Sequence, residues 1–408
     1  MLRRHPYPAP AALAASALVL LTAAPSASAG WSADRAQTRA GTAVAVRAAA
    51  GNGDRVALGW QRRIGSARRA ELRLGRARGG FTRLPVVLDS SRNSVETPIP
   101  TYVRDGAFAV AWRRHLARNH RIRFVSVDRD GRRGATINAT TTGESAYHPQ
   151  WVAGPVPVLA WSRRMRADAL ELTPAGLRGV RLPVSPLSEP GAATDADGLA
   201  TVSWVNDGRV LVSDRGPGGF APPITVASGQ VNLTRVIRAR GGATLVFWRQ
   251  DTDLMVSARP AGGSFGSARP VLASTTDAAQ VALTRTGEVL VVAPTGDRSV
   301  VGELRLARLG ADGAALGPVR SLGRGRRAAL AADGTGSAFV AWMGESSARA
   351  VSARRIAAGG ILGAPRVLAT RSDPLSGPAG PALAATREGG AVAAWIDRND
   401  VHARTYRP

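Results

Sequence analysis

One phrase constrains this chain more than any other: a short run of small and branched apolar residues that ends in tryptophan. Ser337-Ala338-Phe339-Val340-Ala341-Trp342 shows it plainly, and Gly390-Ala391-Val392-Ala393-Ala394-Trp395 repeats it. The same ending falls at Trp60, Trp112, Trp161, Trp204 and Trp248, while Ala293 closes Glu288-Val289-Leu290-Val291-Val292 in the one unit that lacks the ring. Successive end points lie 43 to 53 residues apart. Each run is apolar at nearly every position instead of alternating, which requires a strand buried on both faces. A chain that makes such a strand at regular intervals must cover each one with neighbouring sheets, and the repeat itself is the obvious source of that cover.

The order within a unit is constant. In the seventh, an apolar strand from Ala328 to Ala332 meets the turn Asp333-Gly334, the tryptophan phrase follows, and a third strand runs near Ala348 to Arg354. Gly359-Gly360 then turns the chain into a fourth strand around Pro365 to Leu368. Asp-Gly and Gly-Gly pairs supply the positive φ angles of tight hairpins, and they recur at Asp105-Gly106, Asp197-Gly198, Gly218-Gly219, Gly262-Gly263, Asp312-Gly313 and Gly389-Gly390. Four short strands at this period are one blade of a β-propeller. The expectation is an all-β chain forming a single eight-bladed propeller of four-stranded antiparallel blades, with seven blades as the alternative if the sixth unit is not a full one. The tryptophans are expected to fill the space between sheets and not to stack on a ligand.

The ends of the chain carry two further expectations. Arg3 and Arg4, an apolar run from Ala11 to Ala24 and Ala27-Ser28-Ala29 have the order of a secretory signal peptide, so residues 1–29 are assigned to a Sec leader and 30–408 to the propeller. The last unit has only one strand after Trp395, Asp400 to Tyr406, before the chain stops at Pro408. Gly30-Trp31-Ser32-Ala33 resembles the opening of a fourth strand in Gly219-Phe220-Ala221-Pro222, so residues 30–38 are expected to complete the last blade and close the ring. With no cysteine there is no disulfide framework, no thiolate metal site and no lipid joined through sulfur. The expected location is outside the cell.

The repeated apolar strand ending in Ala-Trp, the Asp-Gly hairpin and the Gly-Gly-Phe turn resemble secreted bacterial β-propellers of the sialidase-like and WD-repeat-like kind, over nearly all of the chain after the leader. The sialidase Asp-box, Ser-x-Asp-x-Gly-x-Thr-Trp, is absent, and no unit carries the Gly-His and Trp-Asp pairs of the WD repeat. The resemblance therefore implies architecture and carries neither family's chemistry across.

Charge points to a surface. The formal net charge is +25, and all 54 basic residues are arginine. In a four-stranded blade, the loops joining strands two and three share a face with those leading to the next blade. After Trp60 come Arg62, Arg63, Arg68 and Arg69; after Trp112, Arg113, Arg114, His115, Arg118, His120 and Arg121; after Trp161, Arg163, Arg164 and Arg166. The corresponding loops of the other five units balance Arg209, Arg249, Arg298, Arg349 and Arg398 against Asp207, Asp251, Asp253, Asp297, Glu345, Asp397 and Asp400. A basic sector on the first three units is expected, suited to carboxylate, sulfate or phosphate groups. Longer connections add Arg92 and Asn93 before the second unit and Glu144, Tyr147 and His148 before the third.

Two functions fit that sector. The main expectation is a secreted non-catalytic binding scaffold holding an acidic glycan, a phosphate polymer or a protein at the cell surface, with nucleic acid less favoured. Its anion site would comprise Arg62, Arg63, Arg92, Arg113, Arg114, His115, Tyr147, His148, Arg163 and Arg164. The alternative is a glycoside hydrolase or lyase acting on an acidic glycan, with Glu144, Tyr147 and His148 supplying an acid or base beside the arginines. No cofactor or metal is expected: Asp128-x-Asp130-Gly131 and Asp195-x-Asp197-Gly198 coincide with hairpin turns and fall short of a calcium loop's ligand count.

Overall fold

The computed structural model describes residues 29–408 apart from 39–41, 118, 141–144, 153–156, 164–166, 174–175, 183–189, 196–197, 217–218, 240, 276–278, 297–301, 345–349 and 371–379. The assigned leader and Glu144, Arg118 and Arg164 thus lie outside the described residues, and the side chains of His148 and Arg163 do too.

The described chain is all-β. Its strands pair into antiparallel sheets of four or five strands, built mostly from successive strands except that the two N-terminal ones join the last sheet, eight such sheets among the described residues. In chain order they are called sheets one to eight. Sheet two shows how the sequence builds one: Ile99–Tyr102 pairs with Phe108–His115, which pairs with His120–Val127, which pairs with Ile137–Asn138. Its first hairpin turns at Asp105 and Gly106, with φ of 51° and 80°, where the glycine and the short polar side chain tolerate the left-handed region. The unit without tryptophan is also four-stranded, with Val289–Thr295 between Gln280–Leu283 and Glu303–Leu309 and Arg320–Arg324 outermost.

The repeat tryptophans sit between sheets. Trp112 shares a core cluster with Leu72 and Leu88 of sheet one. Trp161 shares one with Ile122 and Phe124 of sheet two, and Trp204 with Val158 and Ala160 of sheet three. Trp248, Trp342 and Trp395 each join the sheet before their own in the same way. Sheets five and six, without such a ring between them, meet through Leu245, Phe247, Val289 and Val291. Trp60 of sheet one lies in a cluster with Ala394 and Ile396 of sheet eight. Burial of each indole contributes at most roughly 4–6 kcal/mol of transfer free energy, so the repeated ring is a principal source of stability in a chain with no disulfide.

The two ends of the described chain pair with each other. Gly30 and Trp31 lie opposite Arg407 and Tyr406, and Arg35 and Ala36 lie opposite Ala403 and His402. Trp31 then makes edge contacts with Phe339 of sheet seven and Tyr406 of the last strand.

Candidate functional site

The hairpin of sheet two that follows its tryptophan carries the densest group of chemically able side chains. Its register places His115 opposite His120, and the two rings stand 4.2 Å apart between centroids. Tyr147, at the start of the first strand of sheet three, meets His120 edge-on at 5.3 Å, and the Arg113 guanidinium lies 5.2 Å from the Tyr147 ring centroid. Cation–π attraction of that kind is worth about 0.5–2 kcal/mol and fixes the ring as much as it stabilises it. Four side chains from two sheets are thereby held in one group.

A segment preceding the first strand of sheet two supports this group from below. His115 donates its backbone N–H to Ser94 O at 2.8 Å, and Glu96 donates its own to Arg113 O at 2.8 Å. Glu96 is thus carried under the hairpin, where its Oε1 pairs with Arg113 and lies 3.3 Å from His115 Nε2. Ser94 Oγ also accepts from Arg68 of sheet one at 2.9 Å. Three sheets therefore converge: an exposed arginine from the first, a histidine pair from the second, and a tyrosine from the third.

The electrostatics of His120 suit proton transfer. Burial lowers its pKa below the ordinary imidazole value, the neighbouring His115 and the Arg113 charge lower it further, and Glu96 opposes them. Its Nδ1 is buried and finds no hydrogen-bond partner among the described residues. A neutral imidazole beside a phenol and a guanidinium is equipped to accept a proton near neutral pH.

The arginines of the expected sector divide into two kinds. Arg62 is tied to Glu71, whose side chain is fully buried and also accepts from Trp60 Nε1 at 2.9 Å. Arg114 and Arg123 pair with Asp89, which accepts from Trp112 Nε1 at 2.9 Å. Acids from other strands neutralise these arginines, a pairing that a count of loop residues does not include. Arg63, Arg68 and Arg92 are exposed instead, Arg63 resting on Gly65 O at 3.3 Å. Of the expected residues, the structure brings Arg113, His115 and Tyr147 together, joins Arg62 and Arg114 to buried acids, and leaves Arg92 on the surface. His120 was in the loop count but not in the expected site. Its signal was the hairpin: two histidines on either side of a tight strand connection face each other.

The Asp-x-Asp segments are occupied by turn chemistry. Asp128 Oδ1 accepts from the backbone of Asp130 and Arg132, and Asp195 Oδ1 accepts from that of Leu199.

No family model matches the chain, and no curated protein matches it. Solved structures do. The chain is similar to a virginiamycin B lyase from Staphylococcus aureus, crystallised with quinupristin, at 13% identity and a TM-score of 0.47, over 74% of this chain and 93% of that one. It is similar to a polysaccharide lyase at 10% identity and 0.42, over 65% and 77%. Prolyl oligopeptidase B from Galerina marginata matches at 13% identity and 0.52, over 81% of this chain and 51% of the peptidase. These likenesses are of fold, and the fold is of the β-propeller type. The expectation of a non-catalytic binding scaffold is corrected: the neighbours named here are lyases and a peptidase, and their likeness to this chain shows the fold alone.

Proposed function

We propose that this chain is a propeller enzyme that cleaves an acidic glycan by elimination, with His120 and Tyr147 as its proton-transfer pair. The observation that carries the proposal is a lowered-pKa histidine within ring contact of a tyrosine, beside arginines converging from neighbouring sheets. Elimination next to a uronate carboxylate needs a base for the ring proton, an acid for the leaving oxygen and a cation to stabilise the carboxylate as negative charge builds on it. His120 takes the proton from the carbon bearing the carboxylate, and the released electron pair forms the new carbon–carbon double bond. The glycosidic carbon–oxygen bond breaks, and the leaving oxygen takes its proton from the Tyr147 hydroxyl. Arg68, exposed on sheet one and anchored through Ser94 next to His115, is the cation placed to hold the carboxylate.

Hydrolysis fits less well. It normally uses two carboxyl groups flanking the bond. Among the described residues a single carboxylate, Glu96, stands at the cluster, and Arg113 and His115 already engage it.

The frame proposed around this site is an eight-bladed ring closed by the N-terminal strand, in a protein exported by a leader spanning residues 1–29. The core clusters that join each sheet to the next, including sheet one to sheet eight, support the ring, as does the pairing of Gly30–Trp31 with the last strand. The test is incubation of the protein beginning at Gly30 with polyuronates and glycosaminoglycans. Products with an ultraviolet-absorbing double bond at the new non-reducing end are expected, and both His120→Ala and Tyr147→Phe should lose them. New reducing ends without that absorbance would favour hydrolysis; no cleavage of any acidic polymer would overturn the proposal.

A further inference from the structure

At the opposite ends of the strands, sheets four and five part to form a cleft of about 580 Å³, within the usual range of small-molecule sites. Its floor is a charge network that crosses the sheet boundary. Arg238 of sheet five donates Nε to Asp195 Oδ2 of sheet four at 2.6 Å and lies 3.4 Å from Asp214 Oδ1. Arg259 of sheet five reaches Asp214 Oδ2 at 2.6 Å and packs its guanidinium on the Phe265 ring at 4.8 Å. Among the described residues that line it, two guanidiniums offset two carboxylates, so in a chain of net charge +25 the described floor is neutral.

We infer that this cleft is a binding site for a neutral, hydroxyl-rich ligand, a sugar residue without an acidic group. Asp214 is the member most open to solvent, its side chain 32% exposed while Arg238 and Arg259 are 9% and 12% exposed. Burial alone would raise its pKa, but hydrogen bonds from Arg259 and Thr201 and the charges of Arg259 and Arg238 outweigh that and keep the carboxyl ionised. A carboxylate offers about four acceptor positions, and Thr201, Arg238 and Arg259 occupy three. What remains at the mouth is an acceptor with guanidinium donors close behind it. A hydroxyl both donates and accepts, so adjacent hydroxyls of one sugar ring can use both kinds of group, and the balanced floor gives no advantage to a charged ligand.

The walls are bare where a ring would enter. Gly241, Gly242, Gly262 and Gly263 line the cleft, and a β-carbon at Gly242 would stand 3.2 Å from that of Ala261 and narrow it. Leu199 and Ala261 supply the apolar surface on which the carbon-bound face of a sugar can rest.

The test is calorimetric titration of the whole protein with neutral trisaccharides of glucose, mannose and galactose. At least one should bind saturably, and the same affinity should persist in His120→Ala. Asp214→Asn should weaken binding tenfold or more. Because that change also touches the contact between sheets, Ala261→Trp provides the second variant: it fills the mouth from an exposed turn, leaves the ion pairs intact and should abolish binding. Absence of saturable binding by every neutral sugar, or undiminished affinity in Ala261→Trp, would each overturn the inference.

Discussion

The same tryptophan does different work in different parts of the molecule. In sheets one and two its indole N–H is received by a buried carboxylate that also holds arginine, Glu71 for Trp60 and Arg62, and Asp89 for Trp112, Arg114 and Arg123. In sheets four and eight the indole nitrogens of Trp204 and Trp395 are buried and find no hydrogen-bond partner among the described residues. All four rings fill the gap to the neighbouring sheet. The difference teaches that packing set the repeat, and that two sheets then converted a packing residue into an anchor for buried charge. Those are the sheets from which Arg68, His115 and His120 project.

The sharpest way to break this comparison is to remove an anchor. Glu71→Ala leaves Arg62 and the Trp60 indole without their acceptor and should cost about 3–5 kcal/mol in chemical denaturation. A loss below about 1 kcal/mol would show that Glu71 is no anchor. Next comes the paired substitution of the rings. Trp112→Phe and Trp204→Phe remove similar volume, but only the first strips a donor from a buried carboxylate, so it should be the more destabilising by about 1–3 kcal/mol. Equal losses would erase the distinction. Trp395→Phe should follow Trp204→Phe, since it too deletes an indole N–H that makes no bond to the described residues.

The smallest expected effect is on pH. His120 has a folded pKa below its unfolded value, so its contribution to stability is complete above the ordinary imidazole value of about 6.5 and is lost as pH falls through the window below it. His120→Gln should flatten that part of the stability profile. Asp214, also depressed, acts the same way in the carboxylate window below about pH 3.9.

Much of the fold was legible because the phrase ending in tryptophan is a property of adjacent residues. Strands such as Ala338–Met343 and Ala391–Asp397 are buried at nearly every position, as uninterrupted apolar runs require. The unit around Val289 could be placed by period alone, and it too forms a four-stranded sheet. The site was legible only in part. Arg113, His115 and Tyr147 were visible as loop residues, but Glu96 reaches them because Val95 bridges to Arg114, a register that no local pattern encodes. Asp89 meets Trp112 from the outer strand of the preceding sheet. Contacts between sheets depend on stacking, whereas strands depend on their own residues; the first were therefore hidden and the second were not.

The central claim is that His120 and Tyr147, with Arg68 on the carboxylate, perform elimination on an acidic glycan. The most direct measurement is the rise in ultraviolet absorbance when the protein is mixed with a polyuronate. A steady rise is predicted, falling about 10²–10⁴-fold in His120→Ala while that variant remains folded. A polymer that is bound but never cleaved, or a rate unchanged by His120→Ala, would contradict it.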